Sequence, residues 1–144
     1  PNTGISGLIG LYDIPQNLSF FHLPGPVNAR FSIAQIDTED GQLLFAGIGN
    51  IAAATYADDK RRHLVSHNGI VGVNLRKVQE FSQPWADNML LIAHSDGINT
   101  RWDLNQYPNL GHSHPGVIAA VLYRDFCRGS DDLSVVVLRQ AAGA

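Results

Sequence analysis

Two short acidic segments in the second half of the chain carry the residues best suited to chemistry. Asp96 comes two residues after an apolar run at 89–94. Asp131 and Asp132 directly precede a second apolar run at 133–138. If the two runs are neighbouring antiparallel strands, these carboxylates meet at one edge of a sheet. Carboxylate oxygens gathered at a strand end are typical ligands of a hard divalent cation such as Mg²⁺ or Mn²⁺.

Each acidic segment also has an ordinary structural interpretation. Asp96 lies in a Ser-Asp-Gly sequence, which is common turn chemistry. Asp131 and Asp132 repel each other unless solvent or a cation separates them, yet acidic turns before strands are frequent. The two segments together favour a metal site more than either one does alone.

Other candidate groups give weaker indications of chemistry. His112 and His114 lack a third ligand at zinc spacing, so helix capping or surface exposure is the better interpretation. His94 ends an apolar run and is expected to be a semi-buried imidazole with its hydrogen bonds satisfied. Trp85 and Trp102 are interpreted as core or lid anchors, because the charge around them does not suit a stacking platform for nucleic acid.

Composition limits the class of protein. The chain has 144 residues, of which 44% are hydrophobic and 16% charged, so one domain with a real core is expected. The net charge of −3 argues against a nucleic-acid partner and against an anionic membrane surface. No apolar stretch approaches the roughly 18 residues that a membrane span needs.

Two local features complete these limits. Cys127 is the single cysteine, which excludes an intrachain disulfide and fits a reducing cytoplasm. Because it lies in an apolar helical pattern, it is expected to be a buried, inert thiol. The basic run Lys60-Arg61-Arg62 is interpreted as a solvated turn.

The hydrophobic pattern predicts strands that meander, then one helix, then a last strand. The helix is expected over 115–128, with Ser113 or His114 as its cap. Its apolar face is expected to contain Val117, Ile118, Val121, Leu122 and Phe126. The strands are expected at 18–21, 30–36, 43–46, 51–56, 62–66, 78–81 (a weak edge strand), 89–94 and 135–138. This order favours an antiparallel α+β or sandwich fold over a βαβ repeat.

Several of these segments match one family in order and spacing over about 110 residues. The matching segments are Ala34-Gln-Ile-Asp37 with Gly41-Gln-Leu, then 47–51, 66–72, 91–98 and 129–137. The run from about Ala29 to Arg139 resembles the C-terminal part of the SpoIIE/RsbU/RsbX-type serine phosphatases. These form the bacterial stress and sporulation branch of the metal-dependent PP2C-like fold. Residues 101–104 and 122–126 look like the subgroup found with histidine-kinase-like ATPase domains.

The resemblance implies a fold, a metal site and a substrate. The fold would be an α+β, PP2C-like antiparallel β-sandwich with flanking helices and a dinuclear Mn²⁺ or Mg²⁺ site at one end. By position, Asp96 and Asp131 would be metal ligands that act in catalysis through an activated water, and Asp132 fits less well. The substrate would be a phosphorylated anti-anti-sigma protein of the STAS type, in cytoplasmic stress or sporulation signalling.

The chain departs from the family pattern at its N-terminal end. Residues 1–28 match poorly: they contain Asp13 but no Asp-Gly-x-Gly-His-Gly-like motif, and no long helices follow. Residues 1–144 are therefore expected to be one phosphatase-like domain that is truncated or degenerate. The alternative function is a catalytically inactive, phosphatase-like binding or regulatory module. An uncovered sheet edge would also favour a homo-oligomer.

Overall fold

A computed structural model describes residues 7–12, 18–22, 31–48, 51–64, 80–129 and 133–140. Within these ranges the chain forms nine strands, one α-helix and two short 3-10 turns. The strands are β1 (Gly7–Tyr12), β2 (Leu18–His22), β3 (Phe31–Asp37), β4 (Gln42–Ile48), β5 (Ile51–Ala57), β6 (Lys60–Leu64), β7 (Phe81–Pro84), β8 (Leu90–Ser95) and β9 (Ser134–Arg139). The 3-10 turns are Leu104–Gln106 and Leu110–His112, and the helix α1 is Pro115–Phe126.

The strands form two sheets. One has five strands in the order β1-β9-β8-β5-β6, and the other has four in the order β2-β3-β4-β7. The described pairs are antiparallel except β1 with β9, which run parallel with Leu8 opposite Val135. The expected antiparallel α+β fold is thus confirmed. The sequence did not predict β1, because its glycines weaken the strand pattern.

Strand β8 joins two hydrophobic cores. Leu91 and Ala93 face the core between the two sheets, whereas Leu90 and Ile92 face the core beneath α1. All four side chains are fully buried, as expected for a central strand covered on both faces. The inter-sheet core also includes Ala34, Ile36, Leu43, Phe45, Ala53, Leu64, Trp85, Val136 and Leu138.

Tight turns set the register of the hairpins. In the β3–β4 turn, the Asp37 carboxylate accepts hydrogen bonds from the backbone N–H groups of Glu39 and Asp40, each at 3.0 Å. Gly41 has φ of 62° there, a left-handed conformation that favours glycine. The edge strand β7 begins at Phe81, so the predicted strand at 78–81 was placed about three residues early; residues 78 and 79 lie outside the described residues.

Helix α1 covers the outer face of the five-stranded sheet. His114 caps it, because its Nδ1 accepts the Gly116 N–H at 3.0 Å. The buried stripe is Pro115, Ile118, Ala119 and Leu122. The prediction that Val117 belongs to this face was wrong, because Val117 is 49% exposed. The buried residues of the helix lie on another side of it, so Val117 faces outward. None of the described helices is long and apolar enough to cross a membrane.

Candidate metal centre

Strands β8 and β9 bring the bases of the two acidic segments together. They pair antiparallel with Leu90 opposite Arg139 and His94 opposite Val135. Where they meet, the Ser134 N–H donates to Ser95 Oγ at 3.0 Å. The predicted pairing of these strands is confirmed. Asp131 and Asp132 lie outside the described residues, so their role as ligands stays a prediction.

The turn that carries Asp96 is pinned to the end of α1. The Ile98 N–H donates to the Ser95 carbonyl at 3.3 Å, which closes the turn. The Arg128 N–H then donates to the Gly97 carbonyl at 2.8 Å, and Ile98 forms a β-bridge with Cys127. The half-buried Asp96 is therefore held between the sheet and the segment that follows the helix.

The same contacts correct the expectation for Cys127. The helix ends at Phe126, and Cys127 has the extended angles φ −64° and ψ 132°. Its thiol is exposed, so the prediction of a buried side chain was wrong. The apolar helical spacing in the sequence continues to Cys127, but the helix ends one residue earlier and Cys127 pairs with Ile98 in a β-bridge.

A cavity of about 190 Å³ opens beside Asp96. Its walls are Ile51, Ala52, His94, Ser95, Asp96, Ile98, Thr100 and Arg128. Asp96 and the exposed Arg128 are both among the residues that border this mostly apolar cavity, so a residue that can bind a cation lies near one that can meet an anionic group. Sequence reasoning placed neither Arg128 nor Thr100 at this site. Their proximity depends on the bridge between Ile98 and Cys127, which has no sequence motif.

His94 is buried beneath this cavity, with 1% of its surface exposed. Its Nε2 accepts the indole N–H of Trp102 at 3.0 Å, and its Nδ1 lies 2.8 Å from the Ser95 carbonyl oxygen. The expected satisfied imidazole is confirmed, although it is fully buried and not semi-buried. Trp102, 3% exposed, is the core anchor that the sequence indicated.

Arg61 is not the solvated turn residue that the basic run suggested. It lies within β6, and its guanidinium carbon sits 4.2 Å from the centre of the Trp102 ring. It also donates to the backbone carbonyls of Trp102 and Thr100, the latter at 3.1 Å. Lys60 and Arg62 are exposed, as expected of a solvated run. Charge alone does not show that Arg61 covers an aromatic ring.

His63 makes the hydrogen bonding of the Arg61 side chain depend on pH. Arg61 donates to His63 Nε2 through its Nε at 3.2 Å, so His63 must be neutral to accept. Partial desolvation, and next the positive charge of Arg61, lower the pKa of His63 below its usual 6.5. A lowered histidine pKa contributes stability that is present above the unfolded-state pKa and lost as pH falls through the folded-state pKa.

We therefore expect the chain to lose more stability between pH 7.5 and 5.5 than His63→Gln, which cannot take up the proton. Urea unfolding of both proteins across this range measures the difference. Equal slopes of unfolding free energy against pH would contradict the assignment. The effect is expected to be small, because His63 is largely exposed.

The described residues fit a divalent cation only in part. Asp96 is a hard oxygen donor at an accessible strand end, which suits Mg²⁺ or Mn²⁺. Across the described ranges, however, no group of three or more His, Cys, Asp or Glu side chains could hold a metal ion. A closed metal site therefore needs donors beyond those that the described residues bring together.

The His112 and His114 pair does not form a metal site. His114 is occupied as the cap of α1, as predicted. Both histidines line a second cavity of about 720 Å³, together with Asp58, Asp59 and Asp87. This cavity lies where the β5–β6 turn and the start of β8 meet, at the opposite end of β8 from Asp96.

Comparison with known proteins identifies the fold. No family model matches the sequence, and none of the curated proteins matches it. A chain from a structure of the bacterial stressosome, described as a modular system adapted to control secondary messenger signalling, superposes with a TM-score of 0.66 at 22% identity. RsbX in complex with magnesium superposes with 0.61 at 20% identity. The Mn-presoaked phosphatase domain of SpoIIE, a cell fate determinant of Bacillus subtilis, superposes with 0.60 at 23% identity.

The chain has the PP2C-like phosphatase fold of the SpoIIE and RsbX type. The three superpositions cover 80%, 76% and 81% of this chain, and 60%, 55% and 58% of the other chains. The chain thus spans somewhat more than half the length of these PP2C-like structures. At this level of identity the likeness establishes the fold, and the activity of a whole PP2C-like domain is a proposal for this chain.

Proposed function

We propose that this chain is part of a metal-dependent serine/threonine protein phosphatase. The observation that carries the proposal is the position of Asp96: it follows β8 of a PP2C-like sandwich, where β8 pairs with the start of β9. Asp131 is the proposed second ligand, because it lies just before β9 in the sequence. The metal-containing structures of RsbX and SpoIIE support Mg²⁺ or Mn²⁺ as the proposed ion.

In the proposed reaction, the chain's own residues hold the ion and orient the phosphoryl group. When bound, such an ion neutralises phosphoryl charge and lowers the pKa of a coordinated water. Asp96 and Asp131 supply hard oxygen ligands, and Arg128 attracts the anionic substrate from the same cavity. The apolar walls formed by Ile51 and Ile98 limit the water around these charges.

The proposed substrate is a phosphorylated STAS-domain protein in bacterial stress or sporulation signalling in the cytoplasm. The similarity to a stressosome chain and to RsbX supports this class of partner. A histidine-kinase-like ATPase domain is a further proposed partner, on the likeness of residues 101–104 and 122–126 to that subgroup. The test is phosphate release from a phospho-STAS protein with saturating Mn²⁺ and with EDTA. Release that depends on Mn²⁺ is expected; no turnover under either condition would contradict the proposal.

A second candidate function is a binding module without catalysis. It is favoured by one observation: across the described residues no group of three or more His, Cys, Asp or Glu side chains could hold a metal ion. Such a module would bind the unreacted partner equally well with and without EDTA. A complex that the chelator dissociates would exclude it.

Arg128 offers a test of substrate binding that is separate from the metal. Replacing it with alanine removes the cationic side chain of the cavity beside Asp96. A charge-assisted hydrogen bond is worth about 1.5–3 kcal/mol, so we expect KM for the phosphorylated partner to rise about 10-fold or more. Steady-state kinetics with Mn²⁺ held saturating measures the change.

Arg62→Ala is the matched control for Arg128→Ala. Arg62 is an exposed arginine on β6 that does not line the cavity. Arg62→Ala removes the same positive charge as Arg128→Ala, so a general electrostatic effect would raise KM equally in both variants. That outcome would contradict a specific role for Arg128.

A further inference from the structure

A buried hydrogen-bonded pair lies directly behind the Asp96 turn. The Trp102 indole N–H donates to His94 Nε2 at 3.0 Å, and both side chains are almost completely buried. An indole nitrogen is only a donor, so His94 Nε2 must be unprotonated. The His94 proton is therefore on Nδ1, which donates to the Ser95 carbonyl at 2.8 Å. Trp102 thus selects the tautomer that allows His94 to bind the backbone next to Asp96.

The outer end of this pair is clamped by Arg61. Its guanidinium covers the Trp102 ring at 4.2 Å and donates to the Thr100 carbonyl at 3.1 Å. Burial lowers the pKa of Arg61 and nearby Asp103 opposes that shift, but an arginine stays charged at any ordinary pH. The cation and the two carbonyl contacts fix the position of the indole over the loop that follows Asp96.

The inner end of the pair ties down Ser95, the residue before Asp96. The Ser95 carbonyl receives both the His94 Nδ1–H and the Ile98 N–H, the latter at 3.3 Å. Its hydroxyl oxygen receives the Ser134 N–H at 3.0 Å. These three hydrogen bonds restrain Ser95, the residue directly before Asp96.

We infer that Trp102 is a positioning residue that acts through His94 to fix the Ser95–Asp96 turn and the direction of the Asp96 carboxylate. This inference rests on the proposed function, in which Asp96 is a metal ligand. Groups that orient a ligand from behind it typically change metal affinity or activity 10–100-fold when mutated. The change in affinity is this large because a metal ligand must be held in a narrow range of positions, and a loosened turn does not hold Asp96 there.

The test uses Trp102→Phe, which keeps an aromatic ring beneath Arg61 and removes the indole N–H together with part of the buried ring. In the 144-residue chain, amide hydrogen exchange at Ile98 reports whether the turn has loosened, since this N–H donates to the Ser95 carbonyl. We expect its exchange to become about 10-fold faster. Mn²⁺ affinity, measured by electron paramagnetic resonance of the free ion, is expected to fall about 10-fold.

Trp85→Phe is a matched control. Trp85 is 4% exposed, and its indole N–H donates to Gln140 Oε1 at 3.0 Å, but it belongs to the inter-sheet core. The same chemical change there is expected to leave both readouts within about twofold. Equal effects of the two variants would reduce the role of Trp102 to general stability and overturn the inference. Unchanged Ile98 exchange in Trp102→Phe would also overturn it.

Two further measurements make the test independent of folding and of the proposed function. Nitrogen-15 shifts of the unmodified chain are expected to show His94 protonated on Nδ1, and protonation on Nε2 would overturn the inference without any variant. If Trp102→Phe loosens the turn but Asp96→Asn leaves Mn²⁺ affinity unchanged, the positioning role is supported and the metal-ligand role of Asp96 is contradicted.

Discussion

Asp96→Asn is expected to lower Mn²⁺-dependent phosphate release by about 100-fold or more. The change keeps the shape of the side chain but removes the negative charge that a divalent cation needs from an oxygen ligand. Metal-based stabilisation of phosphoryl charge is worth several kcal/mol, and each 1.36 kcal/mol is about tenfold in rate. Single-turnover phosphate release from a phospho-STAS protein, with Mn²⁺ varied, measures the effect.

The control for Asp96→Asn is Asp87→Asn. Asp87 is an exposed aspartate in the turn before β8, so it lies at the opposite end of that strand. Asp87→Asn removes one negative charge, and Asp87 does not line the cavity beside Asp96. Unchanged activity in Asp87→Asn with lost activity in Asp96→Asn is the expected pattern. Full activity of Asp96→Asn at saturating Mn²⁺ would remove Asp96 from the site.

Leu122→Ala is expected to destabilise the chain by about 3 kcal/mol, within the range of 2–5 for buried leucines. Leu122 is fully buried where α1 contacts the five-stranded sheet, in the core that also contains Ile92 and Val137. Truncation of Leu122 leaves a cavity between α1 and the sheet. The helix can move toward the sheet only a little, so the cavity closes only partly. Urea unfolding followed by circular dichroism measures the change.

Val117→Ala is the control on the same helix. With 49% of its side chain exposed, Val117 loses little buried surface when truncated, and a change within about 0.5 kcal/mol is expected. A loss as large as that of Leu122→Ala would show that the face assigned to α1 is wrong. Both variants are matched to alanine, so helix propensity does not account for a large difference between them.

The strands that position Asp96 were predictable because their patterns are strong. The run at 89–94 has no polar interruption before its end, which is typical of a strand buried on both faces, and β8 fulfils this. The turn between β3 and β4 ends in Asp40-Gly41, a sequence typical of hairpin turns, and Gly41 has the positive φ of 62° that favours glycine. Local chemistry of this kind is present in a few neighbouring residues, so the sequence reports it directly.

The contacts around the site were not predictable in the same way. Arg61 and Trp102 are 41 residues apart, and no periodicity connects a basic residue on one strand to a ring in a distant loop. The exposure of Cys127 depends on the point where α1 gives way to the bridge with Ile98. Apolar spacing continues through that point, because one-dimensional patterns locate the end of a helix less well than its existence.

The resemblance to PP2C-like phosphatases gave the fold correctly, whereas the metal site depends on residues that the fold alone does not test. Asp96 is described at the strand end, but Asp131 lies outside the described residues. Its assignment therefore stays a prediction from motif position.

Anomalous diffraction at the manganese edge, from crystals of the 144-residue chain soaked in Mn²⁺, tests the central claim most directly. We predict a manganese peak about 2.1 Å from a carboxylate oxygen of Asp96, with a second oxygen from Asp131 on the same ion. The peak should be absent from crystals of Asp96→Asn. Saturating Mn²⁺ that gives no peak beside Asp96, or that binds only elsewhere on the chain, would contradict the assignment.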